Sequence, residues 1–267
     1  MIGALIGDIV GSRFEFHNHK SKDFELFTSA CSPTDDSVMS LAVARAVLDC
    51  CGDYRLLGEE AVREMRAWGR QYPFAGYGGT FSRWLMASDP KPYGSWGNGA
   101  AMRVSACGYA ARSLDEALSM ARAVTEVTHN HPEGIKGAEA VASAVYMARV
   151  GHDMEEIRAY VTEHYYPIGF TLDEIRDTYR FDVSCQGSVP QALEAFFEST
   201  DFESALRGAV SIGGDSDTIA DVTCAVAEAY YGVPEAIRET ALTYLDDTQR
   251  ETLALFESVF PTREWLI

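Results

Sequence analysis

Basic residues are scarce in this sequence: Lys and Arg together number 22 against 40 Asp and Glu, and the formal net charge at pH 7 is −18. Binding to nucleic-acid phosphates or to anionic lipid normally depends on clustered Lys and Arg, and no basic run occurs here. We therefore expect neither bare nucleic acid nor a membrane surface as a partner. The oligomeric state stays open, with a monomer favoured.

Long apolar segments are also missing, since no stretch approaches the roughly 20 apolar residues of a transmembrane helix. The first twelve residues are apolar, but Asp8 interrupts them and no basic segment precedes them, so we expect no secretory signal. The cysteines form neither a CxxC pair nor a dense framework, which predicts free thiols in a reducing cytoplasm and argues against a zinc–cysteine site. The six cysteines are Cys31, Cys50, Cys51, Cys107, Cys185 and Cys224.

Apolar residues recur at helical spacing along much of the chain, whereas strand patterns are scarce. The composition, 47% hydrophobic and 23% charged, is that of an ordinary globular protein, and no repeat of 30 to 50 residues is visible. We predict an all-α fold, an irregular bundle of helices that forms a single compact domain over residues 1–267. The predicted helices cover 35–50, 57–71, 114–127, 132 to a stop at Gly151, 154–163, 191–199, 202–210 and 218–231.

Two short acidic motifs stand where predicted helices begin: Thr-Asp-Asp-Ser at 34–37 and Gly-Gly-Asp-Ser-Asp-Thr at 213–218. Taken singly, either motif is explained by helix capping, in which a Ser, Thr or Asp accepts backbone N–H bonds. The helix behind each motif is strongly apolar, so the carboxylates lie at the edge of a core, where like charges that lose water repel one another or take up protons. A divalent metal site explains both motifs together.

The two motifs provide the hard oxygen ligands that Mg²⁺ or Mn²⁺ prefers. Their four carboxylates carry four negative charges, which two divalent cations would balance, and a threonine at each motif could add a neutral hydroxyl. Neither motif continues into the twelve-residue ligand pattern of an EF-hand. The predicted metal ligands are Thr34, Asp35, Asp36, Asp215, Asp217 and Thr218.

A third element lies near the N-terminus, where Gly3, Gly7 and Gly11 would let a helix or a turn pack closely on another backbone. Glu15 follows this apolar stretch and precedes the polar, flexible-looking residues 17–20. We expect the Glu15 carboxylate to reach into the metal site.

The segment 95–104, Ser-Trp-Gly-Asn-Gly-Ala-Ala-Met-Arg-Val, is typical of a glycine-bearing loop that leads into the start of a helix. Such a junction exposes backbone N–H groups suited to a phosphate or pyrophosphate, although Gly-Asn-Gly is more often simply a turn. Residues 76–80, Gly-Tyr-Gly-Gly-Thr, are predicted to form a further loop. Tyr77, Tyr93 or Trp96 could offer an aromatic face to a base.

The segment 128–133, Thr-His-Asn-His-Pro-Glu, brings two imidazoles near the start of a predicted helix. Zinc binding would require at least one more soft ligand, and the sequence offers none nearby. We expect Asn130 to cap the helix and one histidine to hydrogen-bond a ligand.

Taken in order, five segments resemble the motifs of the ADP-ribosylglycohydrolase family, which includes the dinitrogenase reductase-activating glycohydrolases. They are Gly-Asp-x-x-Gly…Glu, Thr-Asp-Asp-Ser, Gly-Asn-Gly-Ala-Ala-Met-Arg, Thr-His-x-His-Pro and Gly-Gly-Asp-Ser-Asp-Thr. The resemblance spans residues 3 to about 232, and the ordered set is far more specific than any one segment. It implies an all-α orthogonal helical bundle with a binuclear Mg²⁺ or Mn²⁺ centre, whose ligands would be the residues of the two acidic motifs.

The resemblance also implies roles outside those motifs. Glu15 matches the family's mobile glutamate at or near the metals. Gly97, Asn98 and Gly99 match the loop beside the ribose and diphosphate, and His129 matches the histidine at the substrate cleft. Many relatives have threonine where this chain has the serines of the two acidic motifs, a difference that changes no ligand charge.

We therefore predict a cytoplasmic hydrolase that cleaves the N- or O-glycosidic bond of an ADP-ribosyl group on a modified protein or small molecule and releases ADP-ribose. Two metals would hold the ribose and orient a water, while Glu15, Asp36 and Asp215 act as catalytic carboxylates. Two alternatives stay open: a two-metal nucleotide phosphohydrolase, which would release phosphate or AMP, and a module that binds ADP-ribose without turnover. The linkage, whether to arginine, serine or an acyl group, is not readable from the motifs.

Overall fold

The structure, a computed structural model, describes residues 1–262, and within this range it contains fourteen α-helices and three 3-10 helices but no β-strand. The predicted all-α fold is confirmed. Every helix in this range is too short or too polar to cross a membrane. In chain order the α-helices are α1 (Ile2–Gly11), α2 (Asp35–Asp49), α3 (Leu57–Gln71), α4 (Gly79–Met86), α5 (Ser105–Ala110), α6 (Leu114–Glu126), α7 (Pro132–Arg149), α8 (Met154–His164), α9 (Leu172–Ile175), α10 (Cys185–Phe197), α11 (Phe202–Val210), α12 (Ser216–Tyr231), α13 (Glu235–Leu242) and α14 (Asp247–Val259).

Side-chain caps fix the start of several helices. Thr34 Oγ1 accepts the backbone N–H of Asp36 at the start of α2, at 3.3 Å. Asp153 and Glu156 form a capping box at the start of α8, in which each carboxylate accepts the other residue's backbone N–H. These bonds satisfy N–H groups that the first turn of a helix leaves without an intrahelical partner.

Helix α1 lies in the interior, and every one of its ten residues is buried. Gly3, Gly7 and Gly11 share one face of α1, and this face lies directly on α12. A Cβ atom at Gly7 would overlap the backbone of Ala220, and one at Gly11 would come within 2.6 Å of the Cα of Asp217. Because glycine has no side chain, the C-terminal end of α1 can contact the beginning of α12 directly.

Three local predictions were wrong. The helix expected directly after Gly99 does not start there, because Asn98–Ala100 form a 3-10 helix and α5 begins only at Ser105. The loop predicted at 76–80 contains the first two residues of α4. The helix predicted at 191–199 is α10, which begins six residues earlier after a cap by Ser184, includes Pro190 and ends at Phe197.

Candidate metal centre and substrate cleft

A cleft of about 380 Å³ opens where the starts of α2 and α12 meet the segment that follows α1. It collects residues from widely separated parts of the chain, including all but one of the predicted site residues. The exception is Thr34, whose backbone N–H and hydroxyl bond the carboxylate of Asp8. The predicted residues that line the cleft are Glu15, Asp35, Asp36, Gly97, Asn98, Gly99, His129, Asp215, Asp217 and Thr218.

Carboxylates crowd one end of this cleft. Glu15, Asp215 and Asp217 each place an oxygen within 4.8 Å of the other two. Burial and the negative charge of Asp215 raise the pKa of Glu15 to about 7, and burial and the charge of Asp8 raise the pKa of Asp35 to about 7. Burial, with Asp215 beside it, also raises the pKa of Asp217 well above its ordinary value. Without cations, such a cluster retains protons near neutral pH.

Asp36 combines a position at the cleft with a carboxylate oxygen that could bind a cation. Its side chain is 3% exposed, and its Oδ1 has no hydrogen-bond partner among residues 1–262. Burial and the charge of Asp217 raise the pKa of the Asp36 carboxyl well above its usual range. An unpaired buried carboxylate oxygen is costly, and a hard divalent cation with oxygen ligands would remove that cost. The residues present therefore fit Mg²⁺ or Mn²⁺.

Asp8 organises the start of α2 from the neighbouring helix α1. Its fully buried carboxylate accepts the backbone N–H of Thr34 (2.8 Å) and of Ser37 (3.0 Å), and also the hydroxyls of Thr34 (2.7 Å) and Ser37. Because Thr34 gives its hydrogen to Asp8, its Oγ1 keeps its lone pairs for the N–H of Asp36 and for a further electrophile. This is the geometry in which a threonine can act as a neutral metal ligand.

The start of α12 rests on a tight turn at Gly213 and Gly214, whose φ angles of 64° and 81° lie in the left-handed region that favours glycine. Asn18 Oδ1 accepts the N–H of Gly214 at 2.5 Å and so ties this turn to the segment that carries Glu15. The Asp215 carboxylate does not cap α12, because it accepts a hydrogen bond from Asn98 Nδ2 at 2.6 Å. Asp215 thus occupies the N-cap position without a side-chain capping bond.

The loop 97–99 lies between the carboxylates and His129. A Cβ atom at Gly99 would lie 3.4 Å from His129 Nε2, and one at Gly97 3.5 Å, so both glycines adjoin the edge of the imidazole that lines the cleft. Burial, together with the positive charge of Arg103, lowers the pKa of His129 well below its usual value. The imidazole is therefore neutral near pH 7.

The expected cap by Asn130 was wrong. The side chain that caps α7 is that of His131, whose Nδ1 accepts the N–H of Glu133 at 3.1 Å. Asn130 Oδ1 instead accepts the N–H of Gly94 at 2.7 Å and anchors the segment that leads into loop 97–99.

The N-terminus of α4 faces the same cleft, which Gly79 and Thr80 help to line. Gly78 is the N-cap and has no side chain to satisfy the first N–H groups of the helix. A helix N-terminus of this kind suits an anionic group such as a diphosphate. Of the three aromatic residues predicted beside a base, only Tyr93 lines the cleft, whereas Tyr77 and Trp96 do not.

The ADP-ribosylglycohydrolase family model matches residues 1–265 of this sequence. The chain belongs to the ADP-ribosylglycohydrolase family. The predicted resemblance is thereby confirmed, and with it an enzyme of the class that hydrolyses glycosyl bonds.

Curated relatives and a solved structure are similar over most of their lengths. The human "ADP-ribosylhydrolase ARH3" is 26% identical and is matched over 91% of this chain and 88% of its own length. The "ADP-ribosyl-[dinitrogen reductase] glycohydrolase" of Rhodospirillum rubrum is 26% identical over 88% of this chain and 85% of its own. A solved "ADP-ribosylglycohydrolase-related protein complex" superposes with a TM-score of 0.73 at 25% identity, covering 98% of this chain and 95% of that chain.

Several residues in or beside this family member's cleft received no role in the sequence analysis. Asp8 stands in the Gly-Asp-x-x-Gly motif, and a lone carboxylate in an apolar helix requires partners, but no partner was predicted for it. Phe181 and Val183 line the cleft although 46% and 54% exposed, and Phe181 stacks on Phe16 with ring centroids 6.3 Å apart. They come from the connection between α9 and α10, which contains no motif.

Proposed function

We propose that this protein hydrolyses the N- or O-glycosidic bond of an ADP-ribosyl group on a modified protein or small molecule and releases ADP-ribose. One observation carries the proposal: a buried carboxylate cluster and a set of neutral donors lie in one cleft. The donors are the Asn98 amide, the N–H groups at the start of α4 and the His129 imidazole. The oxygens of a diphosphate would accept hydrogen bonds from these donors, and a ribose attached to it would lie beside the carboxylates.

We propose a binuclear Mg²⁺ or Mn²⁺ centre within the carboxylate cluster. The unpaired Oδ1 of Asp36 and the raised pKa of its carboxyl support this. When bound, the ions would supply Lewis acidity for the ribose hydroxyls and an activated water. The proposed ligands are Thr34, Asp35, Asp36, Asp215, Asp217 and Thr218. All of them except Thr34 line the cleft, and Glu15 lies beside Asp215 and Asp217.

The chain's own residues contribute charge and proton transfer. Glu15 is half-buried at the cleft wall, and its pKa of about 7 in the cation-free cluster lets it give or take a proton near neutral pH. Asp36 and Asp215 place negative charge where a glycosidic bond breaks through an oxocarbenium-like state. Asn98 holds the Asp215 carboxylate in one orientation through its 2.6 Å hydrogen bond.

Names of relatives support a substrate of this class without choosing the linkage. The Pseudomonas putida relative, 26% identical, is named an "ADP-ribosylarginine hydrolase", whereas the Rhodospirillum rubrum relative is named for dinitrogen reductase. The proposed function therefore names the ADP-ribosyl bond and leaves its acceptor to experiment.

The experiment is release of ADP-ribose from arginine-linked, serine-linked and O-acetyl ADP-ribose, each with Mg²⁺, with Mn²⁺ and with a chelator. We expect metal-dependent release from at least one substrate, and loss of that release in Asp215→Asn. Asp89→Asn is the matched control, because Asp89 is exposed, forms a salt bridge with Lys91 and lies outside the cleft. Release of AMP or phosphate would contradict the proposal in favour of a phosphohydrolase, and binding of ADP-ribose without any turnover would favour a binding module.

Three broader expectations stand as proposals beside this one. The family match over 1–265 supports a single domain over residues 1–267. All six cysteines are free, which supports a reducing, cytoplasmic location. A monomer is the proposed oligomeric state, which light scattering tests directly.

A further inference from the structure

A buried chain of polar contacts leads from Arg103 through Thr128 to His129, behind the loop 97–99. Arg103 Nη2 donates to Thr128 Oγ1 at 2.7 Å and to the Val124 carbonyl at 3.0 Å. Thr128 Oγ1 in turn lies 2.7 Å from His129 Nδ1. All three side chains are almost inaccessible, with exposures of 1%, 0% and 6% along the chain of contacts. Water therefore cannot exchange for these partners.

Arg103 sets the direction of this chain. A guanidinium has only donors, so Thr128 Oγ1 must accept from it and has one hydrogen left to give. That hydrogen can reach His129 Nδ1 at 2.7 Å or the Thr125 carbonyl at 3.4 Å. The Thr125 carbonyl already accepts the N–H of Thr128 and of His129, at 3.1 and 2.8 Å, and 3.4 Å exceeds the normal O–H···O range. The hydroxyl therefore donates to Nδ1.

This direction determines which ring nitrogen of His129 holds the hydrogen. A neutral imidazole that accepts at Nδ1 must carry its N–H at Nε2. Nε2 is the atom that lies beside Gly97 and Gly99, at the wall of the cleft. No hydrogen bond to Nε2 is formed by the residues that the structure describes. The donor is therefore available to a ligand in the cleft.

We propose that Arg103 and Thr128 are positioning residues that hold His129 as the neutral Nε2–H tautomer, which donates a hydrogen bond to an oxygen of the bound substrate. The identity of that oxygen rests on the proposed function: the ribose and diphosphate of an ADP-ribosyl group present acceptor oxygens to this wall. In the opposite tautomer, Nε2 would turn a lone pair toward the cleft, which would repel a diphosphate oxygen and could only accept a hydrogen bond from a ribose hydroxyl. The Thr128 hydroxyl, held by the Arg103 guanidinium, is thus the group that selects the tautomer.

Thr128→Val tests the relay because it removes the hydroxyl and keeps the shape of the side chain. Thr125→Val is the matched control: Thr125 is equally buried, three residues earlier, and its own hydroxyl has no partner among the described residues. Thr128→Ser keeps the hydroxyl and should restore the wild-type behaviour.

The first measurement is the tautomer itself, read from ¹⁵N chemical shifts of histidine-labelled protein, with His129 assigned by its absence in His129→Gln. We expect wild type, Thr128→Ser and Thr125→Val to show an unprotonated Nδ1 and a protonated Nε2. Thr128→Val should lose this preference. A wild-type spectrum with hydrogen on Nδ1 would overturn the proposal, whatever the substrate is.

The second measurement is the affinity for free ADP-ribose by calorimetry, which needs no turnover. Loss of one neutral hydrogen bond predicts about 3- to 10-fold weaker binding in Thr128→Val, with Mn²⁺ binding unchanged. Equal losses in the two valine variants would mean that packing alone is responsible and would contradict the relay. Failure of wild type to release ADP-ribose from any substrate would overturn the proposed function, while the spectrum would still decide the tautomer.

Discussion

Replacing Asp8 with asparagine should weaken metal binding without unfolding the protein. The Oδ2 atom of Asp8 accepts the N–H groups of Thr34 and Ser37, at 2.8 and 3.0 Å, and Oδ1 accepts the Thr34 hydroxyl at 2.7 Å. The single oxygen of an asparagine is best placed toward the two N–H groups. The NH₂ group of the asparagine then donates to Thr34 Oγ1, so the hydroxyl hydrogen of Thr34 must turn away from residue 8. The new hydrogen bond also occupies a lone pair of Thr34 Oγ1 that a cation would use.

The expected loss of metal affinity follows from the loss of the hydrogen bond that the Thr34 hydroxyl donates to the Asp8 carboxylate. A hydrogen bond to a charged group contributes about 1.5 to 3 kcal/mol, which corresponds to about 10- to 100-fold in affinity. Residues that orient metal ligands typically change metal affinity by about the same factor when mutated. The free energy of unfolding of the metal-free protein should change less, because burial raises the pKa of Asp8 and a neutral amide avoids that cost.

The assay is a Mn²⁺ titration followed by the electron paramagnetic resonance signal of free Mn²⁺, with thermal unfolding in chelator as the measure of the fold. Asp221→Asn is the control: Asp221 is also a fully buried carboxyl near this centre, but neither oxygen has a hydrogen-bond partner in the described part of the chain. Wild-type Mn²⁺ affinity in Asp8→Asn would refute the reasoning. An equal loss in Asp221→Asn would show that charge, and not the Thr34 hydroxyl, controls the affinity.

Three further predictions address the same centre and its support. Asp215→Asn should reduce metal-dependent release of ADP-ribose at least about 100-fold in rate, because it removes one of three clustered carboxylates. Since the pKa values of Glu15 and Asp35 rise to about 7, the folded metal-free protein binds more protons than the unfolded chain, and thermal denaturation should show stability falling between about pH 4 and pH 7. Gly7→Ala should lower the free energy of unfolding by about 1 to 3 kcal/mol or more in urea, because its Cβ meets the backbone of α12, whereas Gly169→Ala, in open space, should not.

Helices with a continuous apolar stripe and clear end signals could be predicted from the sequence. The bounds of α3 and α11 match the prediction, and α2 and α12 differ from it by one and two residues at one end. Helix α4 was missed because glycines precede and begin it, although Phe81, Trp84 and Leu85 form a buried stripe at helical spacing. A stripe of three residues is too short to outweigh the glycine signal.

The residues of the candidate site likewise differ in how far the sequence predicts their roles. Residues whose own chemistry points to a cation, such as Asp36 and Asp217, stand in motifs and were found in the sequence. Asp8, Arg103 and Thr128 also stand in the family motifs, but their roles could not be predicted, because nothing in a linear sequence joins Asp8 to Thr34 or Arg103 to Thr128. Their contacts exist only once α1 has packed against α2, and the end of α6 against the segment that follows loop 97–99.

Helix α1 connects the stability of the fold to the proposed metal centre. Its glycine face brings it so close to α12 that no water separates the two backbones, and the next residue after Gly7 turns its carboxylate to the start of α2. The helix then ends four residues before Glu15, which joins Asp217 in the cluster. The same close packing that stabilises the core thus concentrates negative charge in a largely buried site, where like charges repel strongly. Divalent cations that bind only the folded state would relieve this repulsion, so the melting temperature should rise with Mn²⁺ concentration in wild type and rise less in Asp8→Asn.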